Sequence, residues 1–171
     1  MILENIFYTN DALGKDGERI RIYKIRTMVS DADQLLDHVF SNGVDSLGKV
    51  VNDSRVTPLG RFLRKYWLDE IPQIYNLIRG DISLVGIRSK CEKYWEIYPR
   101  EHKKQALRYK PGLLGVPYSD ISISDPNLSF EDLIQIEADY LRQKNESPVL
   151  TDFRYFFKIL FNIVFRGARS K

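Results

Sequence analysis

The spacing of apolar residues changes along the chain and predicts a β-hairpin followed by a series of helices. Residues 6–28 form the predicted hairpin, with a turn-rich loop from Asn10 to Gly17 and a second strand beginning at Arg19. Residues 45–56 have neither the alternation of a strand nor the spacing of a helix and are predicted to be a loop. Between the hairpin and this loop, helical spacing predicts a short amphipathic helix whose apolar face contains Leu35, Leu36, Val39 and Phe40.

The next segment has helical spacing but contains an internal proline. Thr57-Pro58 is typical of a helix start, an N-cap residue followed by proline at the first helical position. Because a proline inside a helix removes a hydrogen bond, Pro72 predicts a break near Leu68 and a second helix that begins at Asp69 and ends at Gly80. The apolar face of the first helix is predicted to contain Leu59, Phe62, Leu63, and Tyr66 or Trp67.

The remainder of the chain is predicted to be mostly helical. The predicted elements are a strand at 82–85, a helix at 90–109 interrupted at Tyr98-Pro99, a loop at 111–127, and helices at 129–143 and 151–166. The predicted fold class is therefore α+β: a helix-dominated single domain over residues 1–171, with a small antiparallel β-element and a C-terminal amphipathic helix.

Composition excludes several classes of protein. The chain has 171 residues, of which 43% are hydrophobic and 29% charged, which is typical of a folded domain and not of a disordered or fibrous chain. A single cysteine, Cys91, rules out a disulfide framework. The longest run without Asp, Glu, Lys or Arg is nine residues, Pro111 to Ser119, too short to span a bilayer.

The adjacent carboxylates Asp69 and Glu70 are the strongest candidates for chemistry. At a predicted helix N-terminus, free N–H groups and the helix dipole would lower the pKa of Asp69 and keep it ionised, as a carboxylate nucleophile must be. Carboxylates, a divalent cation and arginines are the groups that phosphoryl transfer needs. The alternative is a plain helix cap followed by a solvated acid. Nearby basic residues are Arg55, Arg61, Arg64 and Lys65.

Two further sets of cations are candidates for phosphate binding. Arg88 follows a short apolar strand, where its guanidinium would suit a phosphate, or it is simply a surface arginine. Lys24 and Arg26 alternate along the second hairpin strand, and such residues are commonly solvated.

The last helix combines aromatic residues with a narrow basic stripe. From residue 153 to the C-terminus there are five basic residues and no acid, so the rest of the chain is mildly acidic. This pattern suggests an anionic partner, a membrane surface or a nucleic acid. The helix 153–166 would lie in a bilayer interface, or it would be a buried core helix. The predicted stripe consists of Arg154, Lys158, Asn162 and Arg166.

Five runs of the sequence have the character of motifs: DSRVTPLGRFLR at 53–64, LDEIPQIYN at 68–76, GDISLVG at 80–86, YKIRTM at 23–28 and KPGL at 110–113. Together they resemble the bacterial sugar transferases, the monotopic phosphoglycosyl transferases that start lipid-linked glycan assembly. The resemblance covers roughly residues 7 to 165, and its motifs are dense and specific between 53 and 88.

The resemblance implies a reaction and assigns roles to the candidate residues. Asp69 would attack the sugar-linked phosphorus of a nucleotide sugar, taken as a UDP-sugar, and release nucleoside monophosphate; polyprenol phosphate, such as undecaprenyl phosphate, would then take the phosphosugar. Glu70 would be catalytic with Asp69 and would help to hold Mg²⁺. Arg64 and Arg88 would bind phosphate, and Lys24 would line the pocket. The implied location is the cytoplasmic face of the bacterial inner membrane.

The sequence departs from the family pattern in three places. The family normally begins with an apolar re-entrant hairpin, which the sequence given does not contain, so membrane contact is expected from a preceding segment or from surface helices such as 153–166. The usual Gly-Pro-Arg-Pro is Gly86-Ile87-Arg88-Ser89, and residues 113–120 replace a segment that usually carries an arginine.

These departures motivate a second hypothesis, a catalytically weak relative that acts as a membrane-surface interaction or scaffold subunit. A nucleic-acid-binding module would also explain the basic tail, but no recognised nucleic-acid motif supports it, so we expect no nucleic-acid partner.

Overall fold

The computed structural model describes residues 6–32, 34, 53–120 and 128–166. The helix predicted around Leu35 to Phe40 lies outside the described residues. Within them the strands are β1 (Phe7–Leu13), β2 (Arg19–Ile25), β3 (Ser83–Gly86) and β4 (Gly112–Gly115). The helices are α1 (Pro58–Lys65), α2 (Gln73–Arg79), α3 (Glu92–Trp95), α4 (Arg100–Ala106), α5 (Phe130–Glu146) and α6 (Pro148–Arg166). The predicted α+β class, dominated by helix, is confirmed.

The predicted hairpin is confirmed, with a shorter connection than the sequence suggested. β1 and β2 pair antiparallel from Phe7↔Ile25 to Leu13↔Arg19. The segment from Asn10 to Leu13, predicted as loop, is therefore strand. The inward-facing Ala12 and Ile22 pack together with Ile82 in a small core cluster, and this burial decides the conformation over the turn-forming tendency of Asn10 and Asp11.

A parallel pair of strands was not predicted. β3 pairs with β4 in the register Ser83↔Gly112 and Gly86↔Gly115, whereas residues 111–127 were predicted to be loop. A 3₁₀ turn, Val116–Ser119, follows β4. The close approach depends on glycine, because a Cβ on Gly112 would lie 2.0 Å from the backbone nitrogen of Gly86.

The break between α1 and α2 occurs where predicted but has a different local form. Trp67 adopts the left-handed conformation (φ 58°), and Leu68–Glu70 forms a 3₁₀ turn. Asp69 lies in this turn and is not a helix cap, because α2 begins only after Pro72, its N-cap residue. Gly80, also left-handed (φ 78°), ends α2 as predicted.

The predicted apolar face of α1 is not buried in the described part of the chain. Thr57 caps the helix as predicted, and its side chain accepts a hydrogen bond from the backbone N–H of Gly60. α1 docks on the end of β2 through Gly60, where a Cβ would lie 2.0 Å from the carbonyl oxygen of Thr27. Leu59 and Phe62 are exposed.

The main core lies between the parallel strands and the last helices. It includes Val85, Ile87, Trp95, Tyr98, Val116, Tyr118, Tyr140, Leu141, Tyr155 and Ile159. The break at Tyr98-Pro99 and the capping box of Ser129 with Asp132 are confirmed.

α6 has two unlike faces. Thr151, Tyr155, Ile159 and Asn162 are buried, whereas the opposite side exposes aromatic residues, with Phe153 62% and Phe165 74% exposed. The stripe that was predicted to include Asn162 is therefore wrong at that residue, because the 3.6-residue helical repeat rotates it toward the core.

Candidate active site

Lys24 is set in place by the docking of β2 against α2. A fully buried amide, Asn76, joins the two elements: its Oδ1 accepts a hydrogen bond from the backbone N–H of Tyr23 at 3.1 Å, and its Nδ2 donates to the carbonyl oxygen of Arg21 at 2.7 Å. The side chain thus satisfies backbone groups along an edge of β2 that no strand covers in the described chain. Lys24 is held opposite the turn that follows α1 as a result.

Arg64 comes from the last turn of α1 and is fixed to the segment after β2. Its Nε donates a hydrogen bond to Oγ1 of Thr27 at 2.9 Å. Burial lowers the pKa of Arg64, an effect that Asp69 opposes. An arginine keeps its charge under these conditions, so Arg64 provides a fixed positive charge beside the 3₁₀ turn.

Glu70 connects two of the predicted phosphate-binding cations. Its Oε1 accepts a charged hydrogen bond from Nη2 of Arg88 and lies 3.8 Å from Nζ of Lys24. Burial lowers the pKa of Lys24, and Arg88 adds to the decrease, while Glu70 and Asp69 oppose it. Burial also tends to lower the pKa of Arg88, but Glu70 and Tyr118 outweigh it and the net shift is upward.

Asp69 is buried, 8% exposed, and its electrostatics differ from the prediction. Burial raises the pKa of its carboxyl and the charge of Glu70 raises it further, whereas Lys24 and Arg64 act to lower it. The prediction of a pKa lowered by a helix N-terminus was wrong, because Asp69 precedes α2 and neighbours a second carboxylate. Its charge is sustained by the two cations instead.

Of the four basic residues predicted around the carboxylates, Arg64 is the one whose charge acts on Asp69. Arg55 is 7% exposed and pairs with Asp53 at 2.6 Å. Arg61 donates to the carbonyl oxygen of Val56 at 2.9 Å. Lys65 lies 5.6 Å from the ring centre of Tyr66. These contacts support the local chain and α1.

The five predicted site residues therefore meet in one place. Lys24, Arg64, Asp69, Glu70 and Arg88 come from a strand, a helix, a 3₁₀ turn and the segment after β3, and all are coupled by charge or direct contact. Three cations around two carboxylates leave one positive charge in excess. Such a site suits a ligand that brings further negative charge, as a diphosphate does.

The whole chain, and not only the site, is similar to known proteins. A family model described as "Bacterial sugar transferase" matches residues 2–166. The chain belongs to the bacterial sugar transferase family. The galactosyl transferase CpsE of Streptococcus agalactiae is 32% identical over 168 residues, which cover 96% of this chain and 35% of that protein.

Two further relatives of this chain carry more specific names. The undecaprenyl-phosphate galactose phosphotransferase of Salmonella typhimurium is 35% identical over 115 residues, 64% of this chain and 24% of that protein. The UDP-glucose:undecaprenyl-phosphate glucose-1-phosphate transferase of Escherichia coli is 30% identical over 173 residues, 97% of this chain and 33% of that protein. The chain thus spans about a quarter to a third of these relatives.

The metal-ligating side chains of the site fit a magnesium ion only if substrate phosphates complete its coordination. No group of three or more His, Cys, Asp or Glu side chains in the described ranges could hold a metal ion. Mg²⁺, however, is commonly held by one or two carboxylates together with substrate phosphates. Glu70 provides such a carboxylate beside Asp69, and a cation held there would lower the pKa of Asp69, which burial and the charge of Glu70 raise.

The departure from the family pattern at Ile87 leaves Arg88 in the site. Ile87 is 6% exposed and packs in the main core. Gly115 leaves room for the Arg88 side chain, since a Cβ there would lie 2.6 Å from its Cγ. Packing of Ile87 in the core therefore supports Arg88, in place of the two prolines that flank the arginine in the family pattern.

Sequence reasoning missed four residues that set up the site, Thr27, Asn76, Tyr118 and Asn162. Asn76 and Thr27 fall within the motif runs, and this could have indicated that they support the site. The sequence gives no such indication for Tyr118 and Asn162, because their role depends on contacts between segments that are distant in sequence.

None of the helices in the part of the chain that the structure describes is long and apolar enough to cross a membrane.

Proposed function

We propose that this chain transfers a sugar phosphate from a nucleotide sugar to polyprenol phosphate, as the catalytic part of a phosphoglycosyl transferase. The observation that carries the proposal is the meeting of Asp69 and Glu70 with Lys24, Arg64 and Arg88. The names of the relatives support a UDP-sugar as donor and undecaprenyl phosphate as acceptor. The product would start the assembly of a lipid-linked glycan.

Asp69 is the nucleophile in this proposal. Its carboxylate oxygen attacks the phosphorus that bears the sugar, the bond to the nucleotide breaks, and nucleoside monophosphate leaves. The phosphosugar remains as an acyl phosphate on Asp69. An oxygen of polyprenol phosphate then attacks the same phosphorus, which forms the polyprenyl diphosphate sugar and frees the carboxylate. The raised pKa makes Asp69 a more basic, and hence stronger, nucleophile once ionised.

The cations stabilise charge during both transfers. Arg88 and Arg64 are rigidly held, Arg88 by Glu70 and Arg64 by Thr27, so they need little reorganisation when phosphate oxygens gain charge. Lys24, whose Nζ lies 3.8 Å from Oε1 of Glu70, would add a third positive charge for the donor phosphates. Glu70 would hold Mg²⁺, which neutralises phosphate charge when bound. Mg²⁺ dependence is therefore part of the proposal.

Replacing the nucleophile tests the reaction. We expect Asp69→Asn to lower the release of nucleoside monophosphate from a UDP-sugar at least about 10³-fold, because the covalent route is lost. Incubation of the unmodified protein with donor alone should add one phosphosugar to the peptide that contains Asp69, detected by mass spectrometry. A matched control is Asp139→Asn, since Asp139 is a half-buried carboxylate on α5 that pairs with Arg142, away from the site.

Three results would contradict the proposal. Wild-type turnover in Asp69→Asn would exclude that nucleophile. Loss of activity in Asp139→Asn as well would show a general defect. If the unmodified protein with Mg²⁺ releases no nucleoside monophosphate from any UDP-sugar, the interaction or scaffold hypothesis is favoured instead.

We propose further that the protein works at a membrane surface, at the cytoplasmic face of the bacterial inner membrane. The outward face of α6 supports this: Phe157 is 52% and Phe161 49% exposed, and Arg154 and Lys158 provide cations for anionic headgroups. More exposed apolar residues flank the catalytic turn on both sides, Leu59, Phe62, Tyr66, Ile71, Ile74 and Ile78. A lipid acceptor would reach Asp69 from this side.

Co-sedimentation with vesicles that contain anionic lipid tests the membrane contact. We expect Phe157→Glu combined with Phe161→Glu to weaken binding at least about tenfold, because two apolar contacts are lost and two negative charges added. Phe156 is a poorer target since it packs partly against the core. Ile97→Glu, at an exposed apolar residue after α3, is the control; equal losses in both proteins, or unchanged binding in the double variant, would contradict the role of α6.

A further inference from the structure

Tyr118 contacts both Arg88 and the residue before the turn that carries Asp69 and Glu70, although no catalytic role is assigned to it. It belongs to the 3₁₀ turn Val116–Ser119 and is only 5% exposed. Its ring centre is 5.9 Å from the guanidinium carbon of Arg88 and 4.9 Å from the ring centre of Trp67. One aromatic ring therefore contacts both the phosphate-binding arginine and the residue that begins the catalytic turn.

Trp67 is the residue whose conformation starts the turn that carries Asp69 and Glu70. Its left-handed backbone, φ 58°, is unfavourable for a bulky side chain. Packing of its indole ring is what offsets this conformational cost, and Tyr118 provides an aromatic contact for it. A change in Tyr118 would thus act on the carboxylates through Trp67.

The Tyr118 ring also restrains Arg88. The guanidinium of an arginine is attracted to an aromatic face. The stem of Arg88 passes over Gly115, where a Cβ would lie 2.6 Å from Cγ and 2.9 Å from Cδ. Only glycine at this position lets the arginine take this path between β4 and the ring.

Tyr118 is itself anchored to the last helix. The side-chain amide of Asn162, which is 4% exposed, donates hydrogen bonds to the carbonyl oxygens of Tyr118 at 3.2 Å and Ser119 at 2.8 Å. These two bonds fix the 3₁₀ turn on α6. The position of the ring is therefore determined by the core and not by the site's own charges.

We infer that Tyr118 is a positioning residue, which holds Arg88 against Glu70 and keeps the Asp69-Glu70 turn in its reactive geometry. Gly115 and Asn162 support it, the first by leaving space for Arg88 and the second by anchoring the 3₁₀ turn. The inference rests on the proposed function, because it concerns the use of the donor phosphates.

Steady-state kinetics with a UDP-sugar tests the inference. We expect Tyr118→Leu to lower kcat/KM for the donor about tenfold, the size expected from losing a cation–π and an aromatic contact. Tyr118→Phe keeps the ring and removes only the hydroxyl, which also acts on Arg88, so its loss in kcat/KM should be clearly smaller than that of Tyr118→Leu. Gly115→Ala displaces Arg88 while Tyr118 is unchanged, and should reproduce the loss seen in Tyr118→Leu.

Tyr155→Leu separates positioning from general stability. Tyr155 is a buried core tyrosine on α6 whose ring contacts Tyr140. Its replacement should lower Tm but leave kcat/KM for the donor unchanged at temperatures where the protein is folded. An unchanged kcat/KM in Tyr118→Leu and Gly115→Ala, or an equal loss in Tyr155→Leu, would overturn the inference.

A measurement without substrate keeps this test distinct from the proposed function. Urea unfolding gives the folding equilibrium constant of each variant. If Tyr118 and Arg88 are coupled, the effects of Tyr118→Leu and Arg88→Gln will not multiply. We expect the folding constant of the double variant to be about fivefold larger than the product of the two single effects predicts. Multiplicative effects would overturn the positioning role. If the unmodified protein shows no transfer while the coupling is present, the proposed function fails and the contact stands.

Discussion

Glu137 and Asp69 are both buried carboxylates beside cations, yet their environments have opposite effects. Glu137, on α5 and 1% exposed, accepts a hydrogen bond from Nζ of Lys90 at 2.9 Å and lies 2.9 Å from Nε2 of His102. Burial tends to raise its pKa, but Lys90 and His102 outweigh burial and lower it. Asp69 has its pKa raised by burial and by Glu70, and its cations reduce the effect without reversing it.

The difference separates a structural cluster from a reactive one. The Glu137 cluster is closed: each oxygen has a partner, and Lys90 also lies 4.8 Å and 4.9 Å from the ring centres of Trp95 and Tyr98. The charges of this cluster are paired with one another within the fold. At Asp69 the repulsion between neighbouring carboxylates is left in place, which is typical of a site that acts on a ligand.

The sharpest test of this comparison is the same chemical change at both carboxylates. Glu137→Gln should lower the free energy of unfolding by about 3–5 kcal/mol, because Lys90 is left as an uncompensated buried charge. Asp69→Asn should leave the free energy of unfolding unchanged or raise it, since it removes an unfavourable buried charge. Urea unfolding at pH 7 measures both.

The pH dependence of unfolding sharpens the result. Because the folded pKa of Glu137 is below its unfolded value, its stabilisation is present above the unfolded pKa and is lost as pH falls through the folded pKa. Glu137→Gln should lack this loss in acid. A small effect of Glu137→Gln, or a large loss of stability in Asp69→Asn, would remove the distinction between the clusters.

A smaller effect is expected on the pH dependence of activity. Asp69 must be ionised to attack, so kcat/KM falls as pH decreases through its raised pKa. Lys24 acts to lower that pKa, so Lys24→Met should move the acid limb of the kcat/KM profile to higher pH. Lys104→Met, at an exposed lysine on α4, should leave the limb in place. An unmoved limb in Lys24→Met would show that the limb does not report Asp69.

The recognised runs contain the residues that the fold brings together around Asp69, but composition and spacing could not predict the electrostatics of this cluster. Asp69 was expected to have a lowered pKa because a helix was placed directly after it. The carboxylate instead lies in a buried 3₁₀ turn beside Glu70, and burial first and then the charge of Glu70 raise its pKa. Because α2 begins at Gln73, four residues later than predicted, its N-terminus does not lower the pKa of Asp69 as expected.

Errors in the fold have the same origin in contacts between distant segments. Residues 112–119 were predicted to be loop because they contain Gly, Pro and no helical spacing, yet β4 is stabilised by pairing with β3 and by packing in the core. The apolar residues of α1 were predicted as a helix face, and that face exists, but it is exposed. Spacing shows that a face is apolar and does not show what covers it.

The sequence alone determined the local elements: the hairpin, the Thr57-Pro58 helix start, the stop at Gly80 and the capping box at Ser129, because each depends on backbone preferences and hydrogen bonds within a few residues. Tertiary structure alone decided that Asn162 faces Tyr118, that Gly115 leaves a path for Arg88, and that Lys24 and Arg88 meet at Glu70. These depend on burial and charge between distant segments, since Asn162 and Tyr118 are 44 positions apart in the chain and Lys24 and Glu70 are 46 apart, and local preferences carry no information about such contacts.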